Sequence, residues 1–229
     1  MNHTVLPSKT TTPAGYWDRY GTGLAEEESH EEALKNAFGW CQYDGHGPGD
    51  ELLGRPTTAL ELGFGRGNAV AALALQGISA TGVDVSGVQH ENAAQRWRHV
   101  PGAEFVCAEA LDYLSNTTRR WDAIYSIWGA AWFTDPALLL PLGFDHLEPG
   151  GRLAFSSAPP VPGAYGPQGM YGAGFRGRPV WLYRWSYEPD DWTDILTRHG
   201  FTGVDARIHP APNPDLLGTL IVAARRPLE

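Results

Sequence analysis

The sequence predicts a doubly wound α/β domain with a mostly parallel sheet, and three observations support this fold class. From residue 57 to about residue 155, short apolar or β-branched runs alternate with longer segments of helical pattern, as in successive βαβ units. The 229 residues are 42% hydrophobic and 19% charged, which is enough apolar material for a sizeable core. In residues 58–77, TALELGFGRGNAVAALALQG, an apolar strand runs into three glycines and then into an apolar helix.

The predicted elements follow one another in a regular order. An N-terminal helix is expected over residues 24–38, because its acidic residues come early, Lys35 comes late and Gly39 can end it. The strands expected after it cover residues 58–62, 80–85, 103–108, 122–127 and 152–157, and the helices cover residues 68–76, 87–99, 109–120 and 136–147. Residues 159–177 are rich in glycine, proline and aromatic residues and are expected to form a long ordered loop, a kind of segment that is usually functional.

Charge, hydropathy and cysteine content argue against several classes of partner. A net charge of −9 and a pI near 5.3 argue against nucleic acid, whose phosphates are bound by clustered Lys and Arg. No apolar run approaches the roughly 18 residues that a membrane span needs, and residues 1–11 lack the pattern of a secretion signal. Cys41 and Cys107 lie far apart without a companion at ligand spacing, so neither a disulfide nor a metal site is expected. We expect a cytoplasmic monomer or homodimer with no nucleic-acid or membrane partner.

The three glycines of this stretch, Gly63, Gly65 and Gly67, lie where the first strand turns into a helix. Ligands of open α/β sheets bind at that edge, and glycine lets a ligand lie against bare backbone. The spacing G-x-G-x-G differs from the G-x-G-x-x-G of dinucleotide-binding folds. Glu61 precedes the glycines, and Asp84 ends the second strand 21 residues after the first glycine. A carboxylate at that distance can accept both hydroxyls of a ribose.

With these residues the sequence resembles the class I S-adenosylmethionine-dependent methyltransferases. Residues 61–67, ELGFGRG, resemble their first motif, and Asp84 resembles their second-strand acid. Residues 109–110 resemble the acid-plus-small pair that meets the adenine, residues 121–126 the fourth strand, and residues 147–153 the loop into the fifth strand. The resemblance implies a seven-stranded Rossmann-like methyltransferase fold with a helical N-terminal extension and a final antiparallel strand at residues 217–224.

The resemblance also implies a cofactor, S-adenosyl-L-methionine, with S-adenosyl-L-homocysteine as its product. By this resemblance Glu61 lies near the amino end of the methionine moiety, the glycines meet the methionine backbone, and Asp84 meets the ribose. The cofactor-binding residues expected on this basis are Trp17, Glu61, Gly63, Gly65, Gly67, Asp84, Val85, Glu109, Ala110 and Ser126. Each acid has a structural alternative: Glu61 as a cap or ion-pair acid, Asp84 as the cap of the helix beginning near Ser86, and Glu109 as a first-turn acid.

The end of the fourth strand indicates what kind of acceptor is methylated. Methylases of exocyclic base amines carry an Asn/Asp/Ser-Pro-Pro-aromatic motif there, whereas residues 126–129 read Ser-Ile-Trp-Gly. The metal-binding acids of catechol-type enzymes and the cysteine of cytosine C5 methylases are also absent from that place, so no metal is expected. A small-molecule methyltransferase of biosynthetic type is the remaining interpretation.

Aromatic residues after the fourth strand predict the substrate side. The candidate substrate-binding residues are Trp128, Trp132, Tyr165 and Tyr171. Aromatic residues at every second position from 181 to 187 predict an extended segment with one aromatic face, although packing in the core is an equal alternative. Such a face would favour an aromatic or apolar acceptor and would attract a sulfonium by about 0.5–2 kcal/mol.

For proton removal, His46 is the preferred candidate, with Tyr43 and Asp44 as alternatives and a plain turn histidine as the structural interpretation. Trp17 belongs to an aromatic segment expected to cover the donor, and residues 159–185 are expected to close over the acceptor. We expect one domain over residues 1–229: an N-terminal helical extension (1–56), a cofactor-binding core (57–156), a substrate-side loop (157–187), and a C-terminal helix with an antiparallel strand pair (188–229). The alternative functions are a non-catalytic S-adenosylmethionine-binding module and another transferase, such as an aminopropyl transferase.

Overall fold

A computed structural model describes residues 12–23, 29–171 and 179–229 of the chain. The described strands are β1 (Thr58–Leu62), β2 (Ser79–Asp84), β3 (Ala103–Cys107), β4 (Trp121–Ile127), β5 (Leu147–Ser157), β6 (Gly166–Tyr171), β7 (Pro179–Ser186), β8 (Thr202–His209) and β9 (Thr219–Arg225). The described helices are α1 (Pro13–Gly23), α2 (His30–Lys35), α3 (Asn68–Leu75), α4 (Gly87–Arg96), α5 (Ala110–Asn116), α6 (Ala130–Phe133), α7 (Pro136–His146) and α8 (Pro189–Arg198), with a 3-10 turn at Asp50–Leu53. The longest of these helices have 11 residues, and none could cross a bilayer.

Seven strands form one sheet in the order β3-β2-β1-β4-β5-β9-β8. Strands β1 to β5 pair in parallel, and β9 lies antiparallel between β5 and β8. The chain leaves β1 toward β2 on one side and returns to β4 on the other, which opens a crevice at their carboxyl ends. The predicted doubly wound, seven-stranded, mostly parallel sheet is confirmed, and its final antiparallel strand is β9.

Local sequence explains why the core helices begin where they do. Ser86 caps α4 by accepting a hydrogen bond from the Gln89 N–H, and Asp135 caps α7, where Pro136 occupies the first turn. Helix α3 consists of small apolar residues because it is buried against the sheet. Two apolar clusters flank the sheet, one around Trp40 and Trp97 and the other around Trp121 and Trp192. The result is a three-layer arrangement with its crevice along one sheet edge.

Three segments differ from the sequence prediction. The helix expected over residues 24–38 is α2, which begins after the cap Ser29, and residues 24–28 lie outside the described part of the chain. Helix α1 was not predicted, because its glycine-containing sequence gives little helical signal and its placement depends on tertiary contacts. The loop expected over residues 159–177 is wrong in part, because β6 pairs antiparallel with β7, and residues 172–178 lie outside the described range.

Candidate active site

A cavity of about 750 Å³ opens at the carboxyl ends of β1, β2 and β4 and is covered by α1 and β7. One side, here called the glycine-turn half, includes Glu61, Gly63, Gly65, Asn68, Asp84, Val85, Glu109 and Ala110. Another part of the wall, here called the aromatic half, includes Tyr16, Trp17, Tyr20, Trp128, Trp132, Phe133, Tyr183 and Trp185. The volume lies within the range of ligand pockets, which is about 300–1,000 Å³.

The three glycines of the turn differ in whether a Cβ would clash with neighbouring protein atoms. A Cβ on Gly63 would lie 2.5 Å from the Ala130 nitrogen, and one on Gly67 would lie 2.5 Å from Phe105 Cε1. These two positions are therefore required by the packing of the turn against its neighbours. A Cβ on Gly65 would meet nothing nearer than Gln89 Nε2 at 3.9 Å. Because Gly65 lines the cavity, the space beside it is available to a ligand.

Asp84 joins the end of β2 to the glycine turn. Its Oδ2 accepts a hydrogen bond from the Gly65 N–H at 2.9 Å, and its Oδ1 accepts one from the Ser86 N–H at 2.9 Å. Burial raises the pKa of this carboxyl, against the opposite effect of these two hydrogen bonds. Ser86, not Asp84, caps α4, so Asp84 keeps acceptor capacity on both oxygens at the cavity wall.

Glu61 is the most deeply buried acid of the cavity, with 3% of its surface exposed. The Tyr125 hydroxyl donates to its Oε2 at 3.3 Å. Burial raises the pKa of Glu61 well above its usual range, and the nearby charge of Asp84 raises it further. A cationic ligand group beside such a buried carboxyl would stabilise its charged form and so lower its pKa.

Glu109 has a structural role and also lines the cavity. Its Oε2 accepts hydrogen bonds from the Leu111 N–H at 2.8 Å and the Asp112 N–H at 3.1 Å, which caps α5. This is the first-turn role that the sequence offers as an alternative to adenine binding. The same residue and Ala110 face the cavity beside Val85 of the second-strand end.

Two of the predicted cofactor residues lie outside the cavity. Gly67 packs under the turn, as described above. Ser126 is 2% exposed, and its hydroxyl donates to the Leu62 carbonyl at 2.7 Å and accepts from the Ala131 N–H at 3.1 Å. Its hydrogen bonds therefore tie β4 to β1 and α6. A buried serine of this kind positions the elements around the cavity.

The proposed base residues are not brought to the cavity. His46 Nε2 lies 2.7 Å from the Pro210 carbonyl oxygen, and the Tyr43 hydroxyl donates to the Leu217 carbonyl at 2.7 Å. Asp44 is likewise absent from the cavity wall. These three residues follow Trp40 in a segment that packs against the β8–β9 connection, so the structure gives their proposed role in proton removal no support.

Among the predicted substrate residues, Trp128 and Trp132 line the cavity, but Tyr165 does not. The Tyr165 hydroxyl donates to Glu188 Oε1 at 2.9 Å on the surface. The Tyr171 side chain lies outside the described part of the structure. The extended aromatic segment is confirmed as β7, of which Tyr183 and Trp185 line the cavity.

Trp128 has the most unusual backbone of the site. Its φ is +52°, the only positive φ of a non-glycine residue among those described, and such a conformation costs about 1–3 kcal/mol. The chain crosses β1 closely here, since a Cβ on the next residue, Gly129, would lie 2.5 Å from the Leu62 oxygen. The indole Nε1–H donates to the Trp40 carbonyl at 2.9 Å. This hydrogen bond fixes the indole at the cavity wall.

Helix α1 is attached across the cavity by polar and aromatic contacts. Asp18 accepts a hydrogen bond from the Ser86 hydroxyl at 2.7 Å, which holds α1 against the start of α4. The ring centroids of Trp17 and Phe133 lie 4.9 Å apart, and the two rings meet edge to face. Trp17 therefore lies over the cavity, as expected for a residue of a covering segment.

Sequence reasoning missed several cavity residues. Asn68 follows the glycine turn directly, and its Oδ1 is buried without a hydrogen-bond partner among the described residues. Gln89 on α4 also lines the cavity, whereas Tyr16 and Tyr20 on α1 belong to the aromatic segment that was expected to cover the donor. The place of Asn68 beside the turn was a usable signal, but Gln89 reaches the site only through packing of a distant segment.

Comparison with known proteins agrees with this geometry. Residues 59–151 match the family model described as a methyltransferase domain. Trans-aconitate 2-methyltransferase from Paracidovorax citrulli is 34% identical over 114 residues, which are 47% of this chain and 43% of that protein. The enzyme of the same name from Methylobacterium radiotolerans is 37% identical over 114 residues, 47% of this chain and 42% of that protein. The chain thus spans less than half the length of these curated relatives.

Solved structures share the fold. The 1,6-didemethyltoxoflavin-N1-methyltransferase of Burkholderia thailandensis has a TM-score of 0.61 at 20% identity, over 93% of this chain and 84% of that chain. The CcbJ methyltransferase from Streptomyces caelestis has a TM-score of 0.64 at 14% identity, over 93% of this chain and 98% of that chain. The chain therefore has the fold of these methyltransferases, and its residues 59–151 match a methyltransferase domain.

Proposed function

We propose that this protein transfers a methyl group from S-adenosylmethionine to a small-molecule acceptor and releases S-adenosylhomocysteine. The observation that carries the proposal is the space beside Gly65, where a Cβ would meet no protein atom closer than 3.9 Å, next to the Asp84 carboxylate that Gly65 binds. Bare backbone beside a carboxylate at the end of the second strand suits a ribose-containing ligand. The curated relatives named as methyltransferases match 114 residues of the chain.

The residues of the glycine-turn half fit this cofactor. Asp84 offers free lone pairs for ribose hydroxyls, and buried Glu61 would become favourably ionised beside the ammonium group of the methionine moiety. Glu109 and Ala110 would border the base. When bound, the cofactor supplies an electrophilic methyl group on a sulfonium.

The chain contributes mainly positioning and the exclusion of water. Helix α1 and strand β7 cover the cavity, and their aromatic side chains can hold an acceptor at a fixed distance from the glycine-turn half. Among the described residues, no histidine lines the cavity. Proton removal by His46 or Tyr43 remains a hypothesis that their hydrogen bonds to the β8–β9 connection do not favour.

The aromatic half of the cavity also argues against an aminopropyl transferase, one of the alternative functions. An aminopropyl transferase needs acidic groups to hold a polyamine, and the acids that line the described cavity wall, Glu61, Asp84 and Glu109, all lie in the glycine-turn half. A non-catalytic binding module would bind the cofactor without turnover. The net charge of −9 further supports action without nucleic acid. We also propose that the protein is a cytoplasmic monomer or homodimer.

Two measurements test the proposal. Calorimetric titration with S-adenosylhomocysteine should give binding, and the absence of binding at millimolar ligand would contradict the proposed cofactor. Radiolabelled S-adenosylmethionine should then label at least one member of a panel of phenols, indoles, amines, thiols and carboxylates. Binding without transfer to any acceptor would favour the non-catalytic module.

A further inference from the structure

The aromatic half of the cavity is uncharged over its described residues. Its wall includes aromatic side chains from α1, the β4–α6 region and β7, together with the apolar Ile127 and Leu182 and the polar Thr134. The charged residues that line the cavity belong to the other half: Glu61, Asp84, Glu109 and, within the glycine turn, Arg66. An acceptor bound against the aromatic half therefore meets mainly rings, and three of the four charged residues of the described wall are acids.

This distribution of charge selects against anionic acceptors. A carboxylate moved from water into an aromatic site loses its hydration and needs a cation or several hydrogen bonds in return. The acids Asp84 and Glu109 on the cavity wall supply no compensating positive charge. A tricarboxylate, such as the one in the names of the curated relatives, is thus poorly matched to the described wall.

Trp132 and Trp128 form a preorganised surface on which a flat ring can bind. Their ring centroids lie 5.7 Å apart in an edge-on arrangement, and the Trp128 indole is fixed by its hydrogen bond to Trp40. The Arg184 guanidinium lies 5.5 Å from the Trp132 ring centroid, and its Nε donates to Gln168 Oε1 at 3.1 Å. Both indoles are held before any ligand arrives, which lowers the entropy lost on binding.

Arg184 also indicates which charge the acceptor carries. Its guanidinium already uses the attraction of the Trp132 ring for a cation, and Arg184 is not among the residues that line the cavity. A second cation against the same ring would be repelled by the first. A neutral ring gains stacking and edge-to-face contact without that repulsion.

We propose that the acceptor is an uncharged, planar aromatic molecule bound against Trp128 and Trp132, and that polycarboxylates are excluded. This inference rests on the proposed function, because it takes the glycine-turn half to be filled by the methyl donor. In this proposal, Trp128 and Trp132 are the side chains that select the acceptor.

The test is calorimetric binding of matched probes to the full chain saturated with S-adenosylhomocysteine. The probes are 2-naphthol, 2-naphthoate and trans-aconitate at pH 7; the first two share a ring system and differ in charge. We expect 2-naphthol to bind at least about tenfold more tightly than 2-naphthoate and trans-aconitate not to bind, because only the neutral ring keeps its contacts without a desolvation cost. Tighter or equal binding of either carboxylate, or no binding of 2-naphthol, would overturn the inference.

Two variants test whether 2-naphthol binds against Trp132. Trp132→Ala should weaken 2-naphthol by about tenfold or more and change the affinity for S-adenosylhomocysteine by less than about twofold. Phe144→Ala is the matched control, because Phe144 is also half-buried and carries a guanidinium, that of Arg226, 5.0 Å from its ring centroid, but lies outside the cavity. It should leave 2-naphthol binding unchanged.

Equal effects of the two variants would refute the role of Trp132. If Trp132→Ala does not fold, the comparison of 2-naphthol with 2-naphthoate on the wild-type chain decides the matter. The two proposals fail separately: a chain that does not bind S-adenosylhomocysteine contradicts the proposed function, whereas a chain that binds it but prefers the carboxylates contradicts only the acceptor class.

Discussion

Replacing Gly65 by alanine tests whether the open space beside the glycine turn is the donor site. The new methyl group would meet no protein atom closer than 3.9 Å, so it creates no internal clash. It would instead extend into the space that the cofactor is proposed to occupy. We expect the Kd for S-adenosylhomocysteine to rise at least about tenfold, a loss of about 1.4 kcal/mol.

Gly65→Ala also has a cost for folding that can be worked out in advance. Gly65 has a φ of +51°, and an L-residue in the left-handed region costs about 1–2 kcal/mol. For a chain of this size each kcal/mol lowers the melting temperature by about 2–4 °C. A fall of about 2–8 °C is therefore expected from backbone strain alone.

Gly77→Ala is the matched control. Gly77 has a φ of +85°, and no atom lies within 4 Å of the position that a Cβ would take, but this glycine is exposed at the end of α3 and outside the cavity. Its replacement should lower the melting temperature by a similar amount and leave the Kd unchanged. Gly67→Ala is the opposite case, because its Cβ would lie 2.5 Å from Phe105, and this overlap adds about 1–3 kcal/mol of overpacking.

The assay combines thermal denaturation of the free proteins with calorimetric titration of S-adenosylhomocysteine. Denaturation measures the backbone cost, and titration measures the loss of the ligand site. If Gly65→Ala and Gly77→Ala bind the ligand equally well, the space beside Gly65 is not part of the donor site and the reasoning fails.

Asp84→Ala should weaken S-adenosylhomocysteine binding by about 1–3 kcal/mol, because a charged acceptor of two hydroxyls is lost. The control Asp122→Ala removes hydrogen bonds at the opposite end of the strands and should lower the melting temperature without changing the Kd. An unchanged Kd in Asp84→Ala would show that this acid only holds the turn. Glu61→Gln should raise the stability of the ligand-free protein increasingly as the pH rises above about 4.3, the usual glutamate pKa. The unfolded chain ionises at this residue there, whereas burial raises the pKa of folded Glu61 and disfavours its charged form. A gain in melting temperature that is the same at pH 5 and pH 8 would contradict this. His46→Ala removes one exposed hydrogen bond and Tyr43→Phe removes two, so each should cost about 1–2 kcal/mol of stability or less and leave kcat unchanged. A tenfold fall in kcat would support the base hypothesis.

Local patterns in the sequence were sufficient to predict most of the sheet and the glycine-turn half. The strand, the glycines and the helix of residues 58–77 are contiguous, and Asp84 follows at the end of the next strand, so periodicity and spacing place them at one sheet edge. Glu61 and Asp84 do line the cavity there. Their positions depend on the order of elements, which the sequence displays directly.

The cover of the cavity was decided by contacts between distant residues. Helix α1 is held by Asp18 and Ser86, 68 residues apart, and strand β6 exists because its glycine- and proline-containing segment pairs with β7. Neither segment has enough intrinsic preference to be recognised without its partner.

The positions of the base candidates show the same division. A glycine-flanked histidine before the first strand looked able to reach the site, but Tyr43 bonds to Leu217, 174 residues away, and His46 bonds to Pro210, 164 residues away. The sequence by itself determined the strand–turn–helix unit and the sheet edge, because these follow from short-range pattern. Only the tertiary structure decided which of the candidate side chains cover that edge, because long-range hydrogen bonds and packing direct the connecting segments toward the cavity or away from it.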